Sequence, residues 1–525
     1  MQSPKWHNKR GVIMENSSIL PNIRIRKIIL TDFRNIVHTV VDIPGGKMTE
    51  FINGESSVLG LYGQNGSGKT SLLMAINALK NALSGSEFMY SEFASCIRSG
   101  CKSTRLEFEF SAYNEKGIQF DLYYAFSLAI DESETDIKVK PTEIDDVLDY
   151  MGYEKVISER GKDKLSDYIR PKDKRIVVFD ELLQFASVSP DGEKNNKQVL
   201  IDTSEAASKA SGKAFGNKKK YEQFTLNCEE NIDEFLYKAK LEANIKSMSF
   251  VFASKVIKVL INGSSKVSYK LILKALSEFG CNYLFVILME VTAYNNMKML
   301  PLSLWVNDEE DGAFGMVYPL PLIEHCKIPE ELFPFLKESI KTISKIISTI
   351  VPDLRIEIED IGKTVSEKGQ NIRIFDLLSV RKDVRIPLVY ESDGIRRIIS
   401  FLCLMVAAYS NPSVTIAIDE MDAGIFEYML GELLTIMKDS AKGQLIFTSH
   451  NLRPLEVLAY KNLLFTTVNP ENRFAKLEGI SGNNNLRDSY FRNIILGNGK
   501  DAFYDATDTF NIEQALFEAG LPREN

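Results

Sequence analysis

Gly63-Gln64-Asn65-Gly66-Ser67-Gly68-Lys69-Thr70 is the stretch on which the fold turns. Gly63, Gly66 and Gly68 let successive backbone N–H groups turn inward, so that the loop forms a cradle for phosphate oxygens. Lys69 then supplies a cation for the β- and γ-phosphates of ATP, the Thr70 hydroxyl is a hard oxygen donor for Mg²⁺, and Ser71 completes the nucleotide contacts. The flanks give the motif its required context. Ser57 to Tyr62 (SVLGLY) is a short apolar run expected as a strand, and from Thr70 to Leu83 (TSLLMAINALKNAL) apolar residues recur at helical spacing. Strand, loop and helix in that order predict an α/β P-loop domain.

Downstream, Val414 to Ile418 (VTIAI) reads as a buried strand that delivers Asp419 and Glu420 at its end. This is a Walker B arrangement: Asp419 belongs with Thr70 in the Mg²⁺ shell, and Glu420 is placed to orient or activate an attacking water. Two acids after a strand can also simply cap a loop. Gln444 to Thr448 (QLIFT) is a further strand, followed by Ser449-His450-Asn451. A histidine there can bond the γ-phosphate and sense its departure, although a lone histidine is more often structural. Before Walker B, Glu391-Ser392-Asp393-Gly394-Ile395-Arg396-Arg397 leads into a helix, Ile398 to Tyr409. Ser392 and Gly394 at a helix start form a second phosphate-facing surface with no lysine of its own; the plainer reading is an ordinary capped helix.

Between these motifs the chain is less legible. Ile23 to Phe33 (IRIRKIILTDF) alternates apolar and basic residues as an edge or second-layer strand does. Arg105 to Phe110 and Ile118 to Phe126 predict a hairpin, and Arg175 to Phe179 is the one convincing strand in the charged stretch from Asp131 to Gly216. Glu229 to Leu276 reads as helical, Leu302 to Val306 with Met316 to Leu320 as a second hairpin, and Glu330 to Val351 as an amphipathic helix whose apolar stripe packs in the core. Arg373 to Val468 alternates strand and helix patterns like half of a parallel sheet. The expected division is an extension (1–22), a first half of the ATPase head (23–130), a mainly helical insertion (131–350), a second half (351–470), and a tail available for a partner (471–525). With no heptad run, no long coiled-coil arm is expected.

Composition sets outer limits. The 525 residues, 44% hydrophobic and 26% charged, can bury a substantial core without disulfides or metal. A net charge of -8 excludes a uniformly basic nucleic-acid coat but not a local basic patch. The six cysteines lack the two-residue spacing of zinc or redox motifs, and four histidines leave little for a histidine-metal nuclease. No secretory signal or membrane span is legible, so a cytoplasmic location is expected. Lys209, Lys213, Lys218, Lys219 and Lys220, beside Tyr221, form either a contact for nucleic-acid phosphates or a solvated loop.

P-loop, signature, Walker B and histidine, in that order, resemble an ABC-type ATPase of the SMC, RecF and OLD group. The opening IRKIILTDFRNI is similar to the first strand of RecF-like heads. The resemblance implies a homodimer, or a higher oligomer, in which two heads sandwich ATP and Ser392 and Gly394 complete the other subunit's site. Asp422 would match the D-loop that couples the sites. Asp393 and Ile395 depart from the usual signature, which implies slow turnover; Gln119 and Gln184 are both candidates for a Q-loop. The segment from Ser449 to Gly520 resembles PtuA-like antiphage-defence ATPases of Septu and retron-associated systems. Related OLD and Gabija proteins fuse a Toprim nuclease after the head. Neither Toprim carboxylates nor an HNH pattern is legible here, so the resemblance implies a separate, HNH-like nuclease effector. A RecF-like repair ATPase and an ATP-bound scaffold with little turnover are the competing expectations.

Overall fold

The structure, a computed structural model, describes residues 20–114, 117–131, 174–188, 195–228, 231–288, 299–308, 312–321, 325–366, 369–476, 486–488, 490, 492 and 509–520. The expected extension therefore lies almost wholly outside the described residues. The strands in chain order begin with β1 (Asn22–Phe33), β2 (Ile36–Asp42), β3 (Ser57–Tyr62), β4 (Ser103–Tyr113), β5 (Gln119–Asp131), β6 (Arg175–Ser187) and β7 (Gln198–Asp202). All but β3 form an antiparallel sheet in the order β2-β1-β4-β5-β6-β7.

β1 is thus an interior strand of the second layer, paired on both sides, not an edge. Its alternation also breaks: Ile23, Arg24 and Ile25 are all buried. Both faces are covered at this end, because Arg24 reaches across to the carbonyls of Gly45 (2.7 Å), Glu55 (2.8 Å) and Lys442 and lies over the Phe51 ring at 4.3 Å. Burial pulls its guanidinium down to about 10, so it remains charged at neutral pH. Arg24→Ala strands three acceptors and should cost about 3 kcal/mol, measured by urea unfolding; an unchanged midpoint would show that these bonds contribute nothing.

The sheet continues past residue 130. β6 is 13 residues long and pairs with β5 over most of its length, and β7 adds an outer strand. The charged positions of the Asp131 to Gly216 stretch hid this, since about half of the β6 side chains are buried and their alternation breaks at Phe179-Asp180 and again at Phe185-Ala186. Glu181 in β6 accepts bonds from Tyr124 Oη (2.7 Å), Ser249 Oγ (2.5 Å) and Phe250 N (2.7 Å), and burial pushes its carboxyl above the usual range.

The second sheet is the core of the nucleotide-binding half. β8 (Leu284–Ile287), β15 (Thr415–Ile418), β16 (Gln444–Thr448), β17 (Leu463–Thr466) and β18 (Phe474–Ala475) join β3 in the order β18-β17-β3-β16-β15-β8. All pairs are parallel except β17 with β18. β8 falls within the stretch expected as insertion; four apolar residues carry no period that separates a strand from a buried helix turn. Helix α1 (Lys69–Ser84) is buried nearly all round, as expected of a helix covered on every side. At the opposite end of the sheet from the P-loop, Gln444 clamps the layers. Its Oε1 accepts from Ile25 N (2.8 Å) and Thr415 Oγ1 (3.0 Å), while its Nε2 donates to Ile25 O and Ser57 Oγ (2.9 Å each).

Helices α2 (Glu205–Ser211), α3 (Lys218–Thr225), α4 (Ile232–Ile245), α5 (Ser254–Gly263) and α6 (Val267–Glu278) gather in the middle third. The lysine run therefore lies on two helices and their junction rather than in one loop. Lys209 pairs with Glu205, Lys213 with Asp233 (2.5 Å), and Lys220 bonds Gln198 (2.9 Å) and Tyr269, while Tyr221 is buried. Beyond the hairpin β9 (Met299–Asp308) and β10 (Gly312–Pro321), a small lobe carries β11 (Cys326–Pro329), α7 (Phe333–Ile350), β12 (Leu354–Val365), β13 (Asn371–Arg381) and β14 (Val384–Pro387). Leu336, Ile340, Ile343 and Ile347 of α7 are buried, so the apolar stripe packs inward as expected. The remaining helices longer than five residues among the described residues are α8 (Asp393–Ser410), α9 (Glu427–Ser440) and α10 (Thr509–Gly520). The six cysteines are free thiols. Among the described residues no helix is long and apolar enough to cross a membrane, and no cluster of metal-ligating side chains occurs.

Candidate nucleotide site

The strand order explains how distant motifs meet. β3, β16 and β15 are parallel neighbours, so the loops after Tyr62, Thr448 and Ile418 open at the same, carboxyl-terminal edge of the sheet, where α/β folds bind ligands. The P-loop, His450 and Asp419-Glu420 are brought together by this alone.

The cradle is built tightly from behind. Gly63 has φ 152°, and a Cβ there would collide with Thr466 Oγ1, so no other residue fits. Thr466 in turn bonds Ser67 Oγ and donates to Tyr62 O (3.1 Å), and Ser67 Oγ also donates to Gln64 O (2.5 Å). Gln64, Asn65 and Gly66 stay at least partly open to solvent, while Ser67, Gly68 and Ser71 are buried. Lys69 is 6% exposed, and its Nζ donates to Gly63 O (2.7 Å) and Gln64 O (3.1 Å). Burial draws its pKa down, opposed by the nearby charges of Asp419, Glu420 and Asp422.

Thr448, the last residue of the middle strand, joins the two halves of the site. It donates to Asp419 Oδ1 at 2.6 Å and accepts from Glu420 N at 2.7 Å; Thr70 Oγ1 donates to Asp419 Oδ2 at 3.1 Å. Asp419 is buried. Glu420 is half-buried and has φ 48°, a conformation costly for a non-glycine residue. Thr448 holds its N–H, and Arg397 Nη2 donates to its carbonyl at 3.2 Å. Asp422 accepts from His450 N (3.3 Å) and Asn451 N (3.0 Å), which fixes the turn that presents the exposed His450.

Ser392 and Gly394 are placed differently. Ser392 is the exposed N-cap of α8, its Oγ accepting from Ile395 N at 3.4 Å. Among the described residues no hydrogen bond joins Ser392 or Gly394 to the P-loop. A Cβ on Gly394 would lie 2.8 Å from Gly424 O, so this helix start rests directly on the loop after Glu420. Arg381 and Ser379 of β13 bind Glu391 just before it. Gln119 and Gln184, the two Q-loop candidates, sit in β5 and β6 of the antiparallel sheet.

Two structural contributors escaped the sequence reading. Thr448 looked like the end of a strand. Asn35, read as a turn residue, donates to Gly66 O (2.9 Å), accepts from Ser71 Oγ (3.1 Å), and has its own carbonyl bound by Arg473 (3.1 Å). Their value is positional, and no local pattern signals it.

The residues fit an ATP polyphosphate and its ion. The loop has the backbone of a phosphate cradle with nothing within 4 Å of a Cβ built on Gly66, so its front is open. Thr70 and Asp419 present the hydroxyl and carboxylate oxygens that Mg²⁺ takes.

Residues 24–453 match the family described as an AAA ATPase domain. Solved structures similar to the chain include an SMC head bound to the C-winged helix domain of ScpA (12% identity, 81% of this chain and 90% of that one, TM-score 0.34). A structure of the recombination mediator protein RecF with ATP, in the RecFOR pathway, shares 12% identity over 83% of this chain and 94% of that one, with a TM-score of 0.31. The SMC head domain from Thermotoga maritima shares 12% over 87% and 100%, with a TM-score of 0.29. No curated protein matches the chain.

Proposed function

We propose that this chain, which belongs to the AAA ATPase domain family, is an ATP-hydrolysing ABC-type subunit that dimerises on ATP and controls a separate nuclease effector in antiphage defence. The observation that carries the ATPase reading is the continuous hydrogen-bond chain from Thr70 through Asp419 and Thr448 to Glu420. It ties the ion-binding hydroxyl, the buried acid and the half-exposed acid into one unit.

In this reading the P-loop amides and Lys69 hold the polyphosphate, and Thr70 and Asp419 hold Mg²⁺, which when bound neutralises charge on the phosphates. Glu420 orients and deprotonates the water, and His450 donates to the γ-phosphate side of the site. The exposed Ser392 and the half-buried Gly394 serve a second copy: Ser392 caps its own helix, Gly394 rests on Gly424, and neither bonds the P-loop of its own chain. The two sheets then form the head, with α2 to α6 as its insertion and residues 471–525 as a partner contact. The nuclease and defence roles rest on the PtuA-like resemblance of the segment from Ser449 to Gly520.

Sedimentation velocity tests the dimer. With Mg-ATP, Glu420→Gln should sediment as a dimer, and adding Ser392→Arg should return it to monomer; a monomer in both, or a dimer in both, defeats this reading. The defence role is tested by phage plating on cells expressing the chain with an HNH nuclease encoded beside its gene. Protection that survives Lys69→Ala would remove ATP from the account.

A further inference from the structure

We propose that the groove between α7 and β12 binds the phosphodiester backbone of single-stranded nucleic acid. Lys337, Lys341 and Lys345 recur at every fourth residue on the outer face of α7, so they climb the helix by roughly 6 Å a step. Together with Arg355 on β12 they rim a groove of about 490 Å³ floored by Ile340 and Ile356. All four cations are exposed.

The rim cations are less compensated than the arginines of β13 and β14. Arg373 binds Glu330 (3.5 Å) and Asp360, Arg381 binds Glu391 (3.1 Å), and Arg385 binds Glu357 (3.0 Å). By contrast, Lys345 and Arg355 make no ion pair among the described residues. Lys341 has only a loose 3.7 Å contact with Glu338, and Lys337 leans over the Phe333 ring at 4.8 Å. The one carboxylate lining the groove, Glu357, is the one already held by Arg385. In a chain of net charge -8, a row of exposed cations, of which Lys345 and Arg355 have no ion pair among the described residues, attracts a polyanion to this place.

The occupant is a single strand on two grounds. The three lysines form one row along one helix, with Arg355 across the groove on β12, and such a row follows one backbone, whereas a duplex presents two backbones on a stiff cylinder that would meet only the rim. Half-buried Ile358 and the methylene stems of the lysines also line the groove and offer contact to base faces, which a duplex keeps stacked within itself. A link to the nucleotide site is built in: β12 pairs with β13, whose Ser379 and Arg381 hold Glu391 next to Ser392. The inference does not depend on the dimer reading, since binding is measured without ATP.

The test is fluorescence anisotropy with a labelled oligothymidylate at several KCl concentrations. The triple variant Lys341→Glu, Lys345→Glu, Arg355→Glu should lose at least about tenfold in affinity, and its log–log salt slope should become shallower by about 2, the equivalent of three lost phosphate contacts. Its ATP affinity, measured alongside, should match wild type and so report an intact fold. The corresponding Lys→Arg variants at 341 and 345 should bind normally. Failure of wild type to bind, an unchanged affinity and slope in the triple variant, or equally tight binding of a duplex of the same length would each overturn the proposal.

Discussion

Lys69→Ala should abolish measurable ATP binding, an affinity loss on the order of 100-fold or more in titration calorimetry. Two features of the site set this magnitude. Lys69 is almost fully buried, so its charge acts in a poorly screened environment, and its Nζ already lies against the carbonyls at the mouth of the cradle. It is also the cation that the burial-lowered pKa and the opposing pull of Asp419, Glu420 and Asp422 place among three acids. Without it, a polyphosphate would enter a site that keeps Asp419, Glu420 and Asp422 but has lost the lysine that offsets them. Lys69→Arg keeps the charge but replaces a compact ammonium by a planar fork, and the tight loop should accept it poorly, with most of the affinity still lost. Wild-type ATP affinity in Lys69→Ala would show that the cradle is not the nucleotide site.

The parts of the fold that sequence made legible are those whose signal is local. The strand β3, the P-loop and α1 each carry their own pattern, and the short apolar runs ending in Asp419 and Thr448 were visible because a chemically distinctive residue follows each. The rest depends on tertiary partners. β8 is four apolar residues whose place beside β15 decides that they are a strand. Arg24 looked like a solvent-facing residue of an alternating strand because its three carbonyl partners come from residues 45, 55 and 442. Thr448 and Asn35 have ordinary side chains in unremarked positions, and only the adjacency of β3, β16 and β15, or the packing of the β1–β2 turn on the P-loop, gives them work. The lysine run at 209–220 is conspicuous in sequence, but Lys209, Lys213 and Lys220 are engaged by neighbours while Lys218 and Lys219 stay exposed; the α7 row, diluted at every fourth position, carries no such local signal.

Glu420→Gln should lower kcat on the order of 100- to 10,000-fold while leaving ATP affinity close to wild type. The structure separates the two acids of the Walker B pair in a way that predicts this split. Asp419 is buried and both its carboxylate oxygens are engaged by Thr70 and Thr448, so it is committed to holding. Asp419→Asn should therefore weaken Mg-ATP binding as well as turnover. Glu420 is half-exposed, and the bonds that hold it are made by its backbone: its N–H to Thr448 and its carbonyl from Arg397, at a φ of 48°. Glutamine keeps the length and shape of the side chain and needs no change in that backbone, so what is removed is the capacity to take a proton. A costly left-handed backbone held by two hydrogen bonds is what a site needs to aim one carboxylate without binding it. Single-turnover measurement of phosphate release, paired with nucleotide titration, separates the two quantities. Equal, near-zero rates in wild type and Glu420→Gln would defeat the hydrolysis reading and leave ATP as a structural ligand; equal, substantial rates would move the base to another residue.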